Sequence, residues 1–216
     1  MTPLMLVIFS ALIGAAVGKA ISIFAYIIPH RMELDWHKEA QEALALDPDE
    51  IPFDPDRPAP KASISEIFSL SILCAALFGI VAWLAPAGVI QASLFCAFLL
   101  GLVLLSWIDA RTYLLPDVLV YPLLWVGLLA NLNGLFVPLD QAVIGAVAGY
   151  SSFWFIAKLF AVIRKKEGMG HGDFKLLAAI GAWLGWMALP WVVILACVVG
   201  IFIAVGRAAL SKRIHS

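Results

Sequence analysis

Residues 88–107, GVIQASLFCAFLLGLVLLSW, decide the fold, because twenty consecutive positions carry no charged side chain. A helix of that length spans about 30 Å, the thickness of the hydrocarbon core of a bilayer. The run ends at Ile108-Asp109-Ala110-Arg111-Thr112-Tyr113-Leu114-Leu115-Pro116-Asp117, where charge returns at once. Outward from it, comparable apolar runs lie at about 4–28, 67–86, 118–136, 138–163, 174–188 and 190–208. Backbone groups in lipid must be satisfied within their own segment, so each run is expected to be a helix. The chain is thus expected to be all-α, a polytopic membrane helix bundle of about seven transmembrane helices forming a single domain over 1–216. Composition points the same way: hydrophobic residues are 63% and charged residues 13% of 216 positions, with mean hydropathy +0.98. A soluble domain cannot hide that much apolar side chain. The bilayer is the expected environment, and no nucleic-acid partner is expected.

The placement of charge says more than the net value of −1. If Arg31 faces the cytoplasm, alternation puts residues 29–66, 108–117, 164–173 and the tail on that side. All fourteen Lys and Arg then fall inside or near the inner ends of spans, apart from Lys19, which lies deeper. The outer turns, around Pro86, Asn131 to Asp140, and Met187 to Pro190, carry none. This is the positive-inside pattern. It predicts a multi-pass inner-membrane protein with its N-terminus outside and C-terminus cytoplasmic. The first apolar run lacks a basic flank and a small-residue cleavage site, so it is expected to be a span, not a cleaved signal. Cys74, Cys96 and Cys197 lie inside apolar runs with no zinc-binding spacing and read as packing residues.

The one long polar stretch, residues 30–63, opens with Arg31 and then turns acidic through Glu33, Asp35, Glu39, Glu42, Asp47, Asp49, Glu50, Asp54 and Asp56. Met32 to Leu46 has helix-forming residues, whereas five prolines from Pro48 to Pro60 favour an extended chain. It reads as a solvated connector, or as an acidic surface that attracts a basic partner segment. Ser63-Ile64-Ser65-Glu66 is a capping box at the start of the second span, and that role accounts for Glu66 without a catalytic one.

Two short loops carry the chemistry. In the first, Asp117 follows Pro116 and suits the positive end of the next helix. Asp109 ends an apolar span beside Trp107 and Ile108, where an ionised group is costly unless used; a pairing with Arg111 is the structural alternative. The second loop reads Lys165-Lys166-Glu167-Gly168-Met169-Gly170-His171-Gly172-Asp173-Phe174-Lys175. Its alternate glycines permit a sharp bend and a close approach to another element, and Asp173, alone, reads as a helix N-cap. The Lys-Ser/Thr pair of a phosphate-binding loop is missing. Topology puts both loops at the cytoplasmic ends of spans, so Asp109 and Asp173 can meet across a bundle. Two carboxylates around one water are what aspartic peptide hydrolysis requires, one as base and the other, protonated, polarising the carbonyl. A transporter relaying ions or protons through the same aspartates is the rival reading. Against it stand the lack of an inverted repeat and the position of both acids at one membrane edge.

At these residues the sequence resembles the type IV prepilin peptidase family. Asp109 to Asp117 is similar to the family's Asp, six variable residues, then Pro-Asp. The seventeen residues Gly170 to Trp186 resemble its Gly-x-Gly-Asp signature with the helix that follows. The resemblance covers most of residues 67–206 and, more loosely, Gly18 to Pro29. It implies a membrane aspartic endopeptidase that cuts leader peptides from type IV prepilins and pseudopilins, substrates with a basic leader before a hydrophobic helix. It implies catalytic roles for Asp109 and Asp173 and supporting ones for Asp117, Gly170, Gly172 and Lys175. No cofactor is implied for cleavage. Many members also methylate the new N-terminus with S-adenosylmethionine and bind zinc through paired Cys-x-x-Cys motifs in the first cytoplasmic loop. Residues 30–63 contain no cysteine, so no metal is expected, and S-adenosylmethionine is expected only if the second activity is retained. Longer relatives continue beyond the position of Ser216 through a Pro-Phe-Gly-Pro-like segment and another span, on which the dyad does not depend.

Overall fold

The computed structural model describes residues 3–44, 57–84, 88–165 and 170–214, with only the backbone described at 3–4 and 208–214. The acidic positions Asp47, Asp49, Glu50, Asp54 and Asp56, the turn at Pro86, and Gly168 lie outside the described residues. The described residues form seven α-helices and no strand: α1 Pro3–Leu44, α2 Ile64–Leu84, α3 Val89–Thr112, α4 Asp117–Ala130, α5 Leu139–Arg164, α6 His171–Leu184 and α7 Leu189–Ile214. Short 3₁₀ turns at Asn131–Asn133 and Trp186–Ala188 follow α4 and α6. Five helices are long and apolar enough to cross a membrane: Met5–Leu44, Ile64–Leu84, Val89–Thr112, Leu139–Arg164 and Trp186–Arg207. With 14 residues each, α4 and α6 rise only about 21 Å, short of a full crossing on their own.

The chain divides into two compact units, Met1–Val120 and Tyr121–Ser216. In the first unit α1 packs along α2, and α3 lies against both. Glycines set the closeness: a Cβ on Gly14 would sit 2.5 Å from the Cys74 carbonyl oxygen, and one on Gly18 would sit 2.6 Å from that of Leu70. With no hydrophobic drive between helices in lipid, such small-residue contacts supply the dispersion that holds the pair. Ile21, Leu70 and Cys74 form the buried core, with Val17, Leu100, Val103, Leu104 and Trp107 packed around it.

The second unit repeats the device between α5 and α6. Gly149 lies where a Cβ would meet the Leu177 carbonyl oxygen at 2.5 Å, and Gly145 meets the backbone of Gly181. The most enclosed helix of this unit is α6, burying Phe174, Leu177, Ala178, Ala179, Ala182 and Trp183. The Trp183 indole N–H donates to the Leu123 carbonyl at 2.8 Å, and its ring lies 5.4 Å from that of Phe136.

Three expectations are corrected. The helix of the first span does not stop near residue 28, because α1 continues through Pro29 to Leu44 and takes in the helix-forming first part of the polar stretch. A proline removes one hydrogen bond, and the helix formers that follow sustain the helix. The helical start at Gly170 to Asp173 puts Gly170 in the N-cap position, with extended φ −70° and ψ 142°, and Asp173 in the first turn. Among the cysteines, Cys74 and Cys96 are buried, but Cys197 is exposed on α7, facing out of its unit.

Candidate active site

Asp109 lies in the last turn of α3, and its side chain is exposed. The turn is finished by local bonds. Thr112 Oγ1 donates to the Ile108 carbonyl at 2.9 Å, and the Tyr113 N–H donates to the Asp109 carbonyl at 2.9 Å. Tyr113 adopts the left-handed conformation, φ 55° and ψ 30°, which is uncommon for a residue with a Cβ. The chain then turns through buried Pro116, whose carbonyl accepts from Leu119 and Val120 as α4 starts. Asp117 is the first residue of α4 and is exposed, where the helix dipole favours its charge.

Beside this turn sits a cluster that sequence reading missed. Arg111 does not pair with Asp109; its Nη2 pairs with Glu66 Oε1 from the start of α2. The other carboxylate oxygen of Glu66 accepts the Tyr26 hydroxyl from α1 at 2.6 Å and the Ser63 N–H at 3.0 Å. The Arg111 guanidinium also stands 4.6 Å from the Tyr26 ring centroid and 5.6 Å from that of Trp107. The Trp107 indole N–H is buried with no acceptor among the described residues, so packing and the Arg111 cation, not a hydrogen bond, hold that ring. Half of the capping box forms, the Glu66 side chain reaching back to Ser63, while the Ser63 hydroxyl turns to Ser65 at 2.7 Å. The sequence signal for Glu66 was present, but it pointed only to the cap.

In the second unit, Asp173 occupies the first turn of α6 with its N–H donating to the Gly170 carbonyl at 3.3 Å, and its side chain is exposed. Gly172 lies between, in the same turn. No atom lies within 4 Å of where a Cβ on Gly170 would stand, so close packing within the described chain does not require that glycine. The ammonium of Lys175 stands 5.2 Å from the Tyr121 ring centroid. His171 and Tyr150 both approach the Phe174 ring, at 5.5 and 6.0 Å.

Asp109, Asp117 and Asp173 all lie within residues 96–205, the segment that matches the type IV leader peptidase family. The chain belongs to this family. A prepilin leader peptidase/N-methyltransferase of Pseudomonas aeruginosa is 39% identical over 237 residues, covering 94% of this chain and 81% of its own. One from Neisseria gonorrhoeae is 37% identical, covering 91% of this chain and 80% of its own. A third, from Dickeya chrysanthemi, reaches 58% identity over 113 residues, 52% of this chain and 38% of the relative. No solved structure matches. Nothing in the family or these relatives supports the transporter alternative. This leader peptidase family member differs from the cysteine-bearing pattern implied above, since residues 30–63 contain no cysteine. Among the described residues no three His, Cys, Asp or Glu side chains gather closely enough to hold a metal ion.

Proposed function

We propose that this chain is a membrane-embedded aspartic endopeptidase that removes the leader peptide of type IV prepilins or pseudopilins. It acts, in this reading, as one peptidase domain over 1–216, at the cytoplasmic face of the inner membrane, with Asp109 and Asp173 as its catalytic pair. The observation that carries the proposal is family membership over a segment containing both motif aspartates, each exposed at a helix end. The engagement of Arg111 by Glu66 adds support, because it leaves Asp109 outside a local ion pair.

In the proposed reaction one carboxylate takes a proton from water while the water oxygen attacks the scissile carbonyl carbon. The other carboxyl, protonated, donates to the developing oxyanion. Collapse of the tetrahedral intermediate breaks the C–N bond, and the departing amine takes up a proton. Asp117 supports the turn between them in sequence, Gly170 and Gly172 leave room for the substrate backbone, and Lys175 adds positive charge nearby. Cleavage needs no cofactor. The names of the relatives extend to N-methylation, for which S-adenosylmethionine would be the donor, but the cysteine-free stretch 30–63 argues for an unmethylated product. The acidic residues Glu33 to Asp56 draw the basic leader toward the same face.

Co-expression with a candidate prepilin, followed by mass measurement of the product N-terminus, tests this. Asp109→Asn and Asp173→Asn should each reduce cleavage by at least about a thousandfold, since an amide serves as neither base nor acid. Asp117→Asn should cost less than about tenfold. Cleavage at the wild-type rate by either Asn variant would remove the aspartic mechanism. A product heavier by one methyl group would show that transfer proceeds without the cysteines.

A further inference from the structure

We propose that Tyr26, Glu66 and Arg111 form a positioning clamp that fixes the rotation of the last turn of α3 and so the direction in which Asp109 faces. The inference rests on the catalytic role given to Asp109 above. On a helix, residues four apart share a face, whereas residues two apart lie about 200° apart. Leu100, Leu104, Trp107 and Arg111 therefore form one stripe, and Leu100, Leu104 and Trp107 are packed on the buried core of Ile21, Leu70 and Cys74. Asp109 lies on the opposite side. Whatever holds the stripe at its end decides where that carboxylate points.

The stripe ends in the clamp. Glu66 uses both carboxylate oxygens, one for Arg111 and the other for the Tyr26 hydroxyl and the Ser63 N–H. Arg111 uses its edge on Glu66 and its face on Tyr26. One planar cation thus joins the middle of α1 to the start of α2 at the end of α3, and a lysine, a point charge on a flexible stem, cannot reproduce the fork and the stack together. The clamp is not what holds the unit together. Its charged side chains remain 32% and 24% exposed, and ion pairs in such settings add little stability. The apolar core and the Gly14 and Gly18 contacts lie further along the helices and do not depend on it. Losing the clamp should therefore loosen the last turn, the part of a helix that opens most readily, and leave the fold in place.

Kinetics on the purified full chain, reconstituted in lipid, tests this with a synthetic precursor carrying a short basic leader before an apolar helical segment. Glu66→Gln keeps an acceptor for Tyr26 and Ser63, and Gln also serves in a capping box, so only the charge partner of Arg111 is lost. Glu66→Gln and Arg111→Ala should each lower kcat by about tenfold or more, as small misplacements of reacting groups do. KM should stay within about twofold and the unfolding temperature should hold. The double variant should be no worse than Arg111→Ala, because both changes break one device, and Arg111→Lys should recover only part of the loss. An independent readout uses Asp109→Cys in a background lacking the other cysteines. Its rate of modification by a water-soluble thiol reagent should change severalfold on adding Glu66→Gln. Wild-type kcat in the clamp variants, multiplicative losses in the double variant, an unchanged thiol rate, or a fall in unfolding temperature that tracks kcat would each overturn the clamp. Inactive Asp109→Asn with fully active clamp variants would sink the clamp and leave the peptidase assignment standing. Active Asp109→Asn would sink the assignment, while the thiol rate still reports the clamp.

Discussion

Asn131 shows how much a single side chain can organise in this chain. It is fully buried, a costly place for an amide unless every polar atom is met. Its Nδ2 donates to the carbonyls of Ala182 at 2.9 Å and Trp183 at 3.3 Å, while its Oδ1 accepts the N–H groups of Phe136 and Val137 at 2.9 and 3.1 Å. The carbonyls near the end of α6 and two amides after the 3₁₀ turn are satisfied by one residue. Asn131→Ala strands all of them, and should lower stability in detergent by roughly 2–4 kcal/mol, read from the shift of a reversible unfolding curve. Exposed Asn133→Ala should change it by less than about 0.5 kcal/mol. Equal effects would mean that the bonds of Asn131 are replaced by water. From sequence Asn131 was an outer-turn residue, since partners 51 and 52 positions away leave no local trace. Glu66 was half legible for the same reason. Its bond to Ser63 is three residues long and was foreseen, but its bond to Arg111 spans 45 residues and was not.

At the scale of helices, the apolar runs located all seven, because lipid enforces a helix wherever it replaces water. Their ends were less legible. The reading separated a span at 4–28 from a helix at 32–46, and the structure joins them across Pro29. What brings the helices together was written in the sequence but not read: Gly14-Ala15-Ala16-Val17-Gly18 and Gly145-Ala146-Val147-Ala148-Gly149 are both small-residue repeats of the kind that lets helices touch in membranes. These contacts allow almost no give. A Cβ at Gly18 would stand 2.6 Å from both the Leu70 oxygen and the Ser71 Cα, and backbone cannot swing aside as a side chain can. Gly18→Val should force α1 off α2, destabilise the protein by at least about 2 kcal/mol and lower its yield in the membrane. Gly200→Ala, with open space around it, should be neutral or slightly stabilising by removing backbone freedom. The comparison is made by thermal unfolding of both in the same detergent. Equal behaviour would show that α1 and α2 can repack at a greater distance.

For the molecule as a whole, charge and length together bear on the orientation proposed above. At 42 residues α1 rises about 63 Å, roughly twice the hydrocarbon core, so a long part of it must stand outside the membrane. The bonds joining Tyr26, Glu66 and Arg111 mark where: at that level α2 begins and α3 is about to end, both turning toward polar sequence. The helix beyond Tyr26 therefore projects into water, carrying Arg31, Glu33, Asp35, Lys38, Glu39 and Glu42. His30 on this projection donates to the Arg57 carbonyl at 2.9 Å, so the chain returns alongside it before entering α2. Lys and Arg recur through this stretch, and Gly134 to Gln141 carries none, a pattern that by the positive-inside rule supports the cytoplasmic side proposed above for the projection. Single cysteines test it once Cys74, Cys96 and Cys197 are replaced by Ala. A membrane-impermeant thiol reagent added to cells with an opened outer membrane should label Asn133→Cys and spare Ala40→Cys until the inner membrane is permeabilised. The reverse pattern would put the end of α3, and Asp109 with it, on the side that a prepilin leader does not reach, and would separate the proposed peptidase from its substrate.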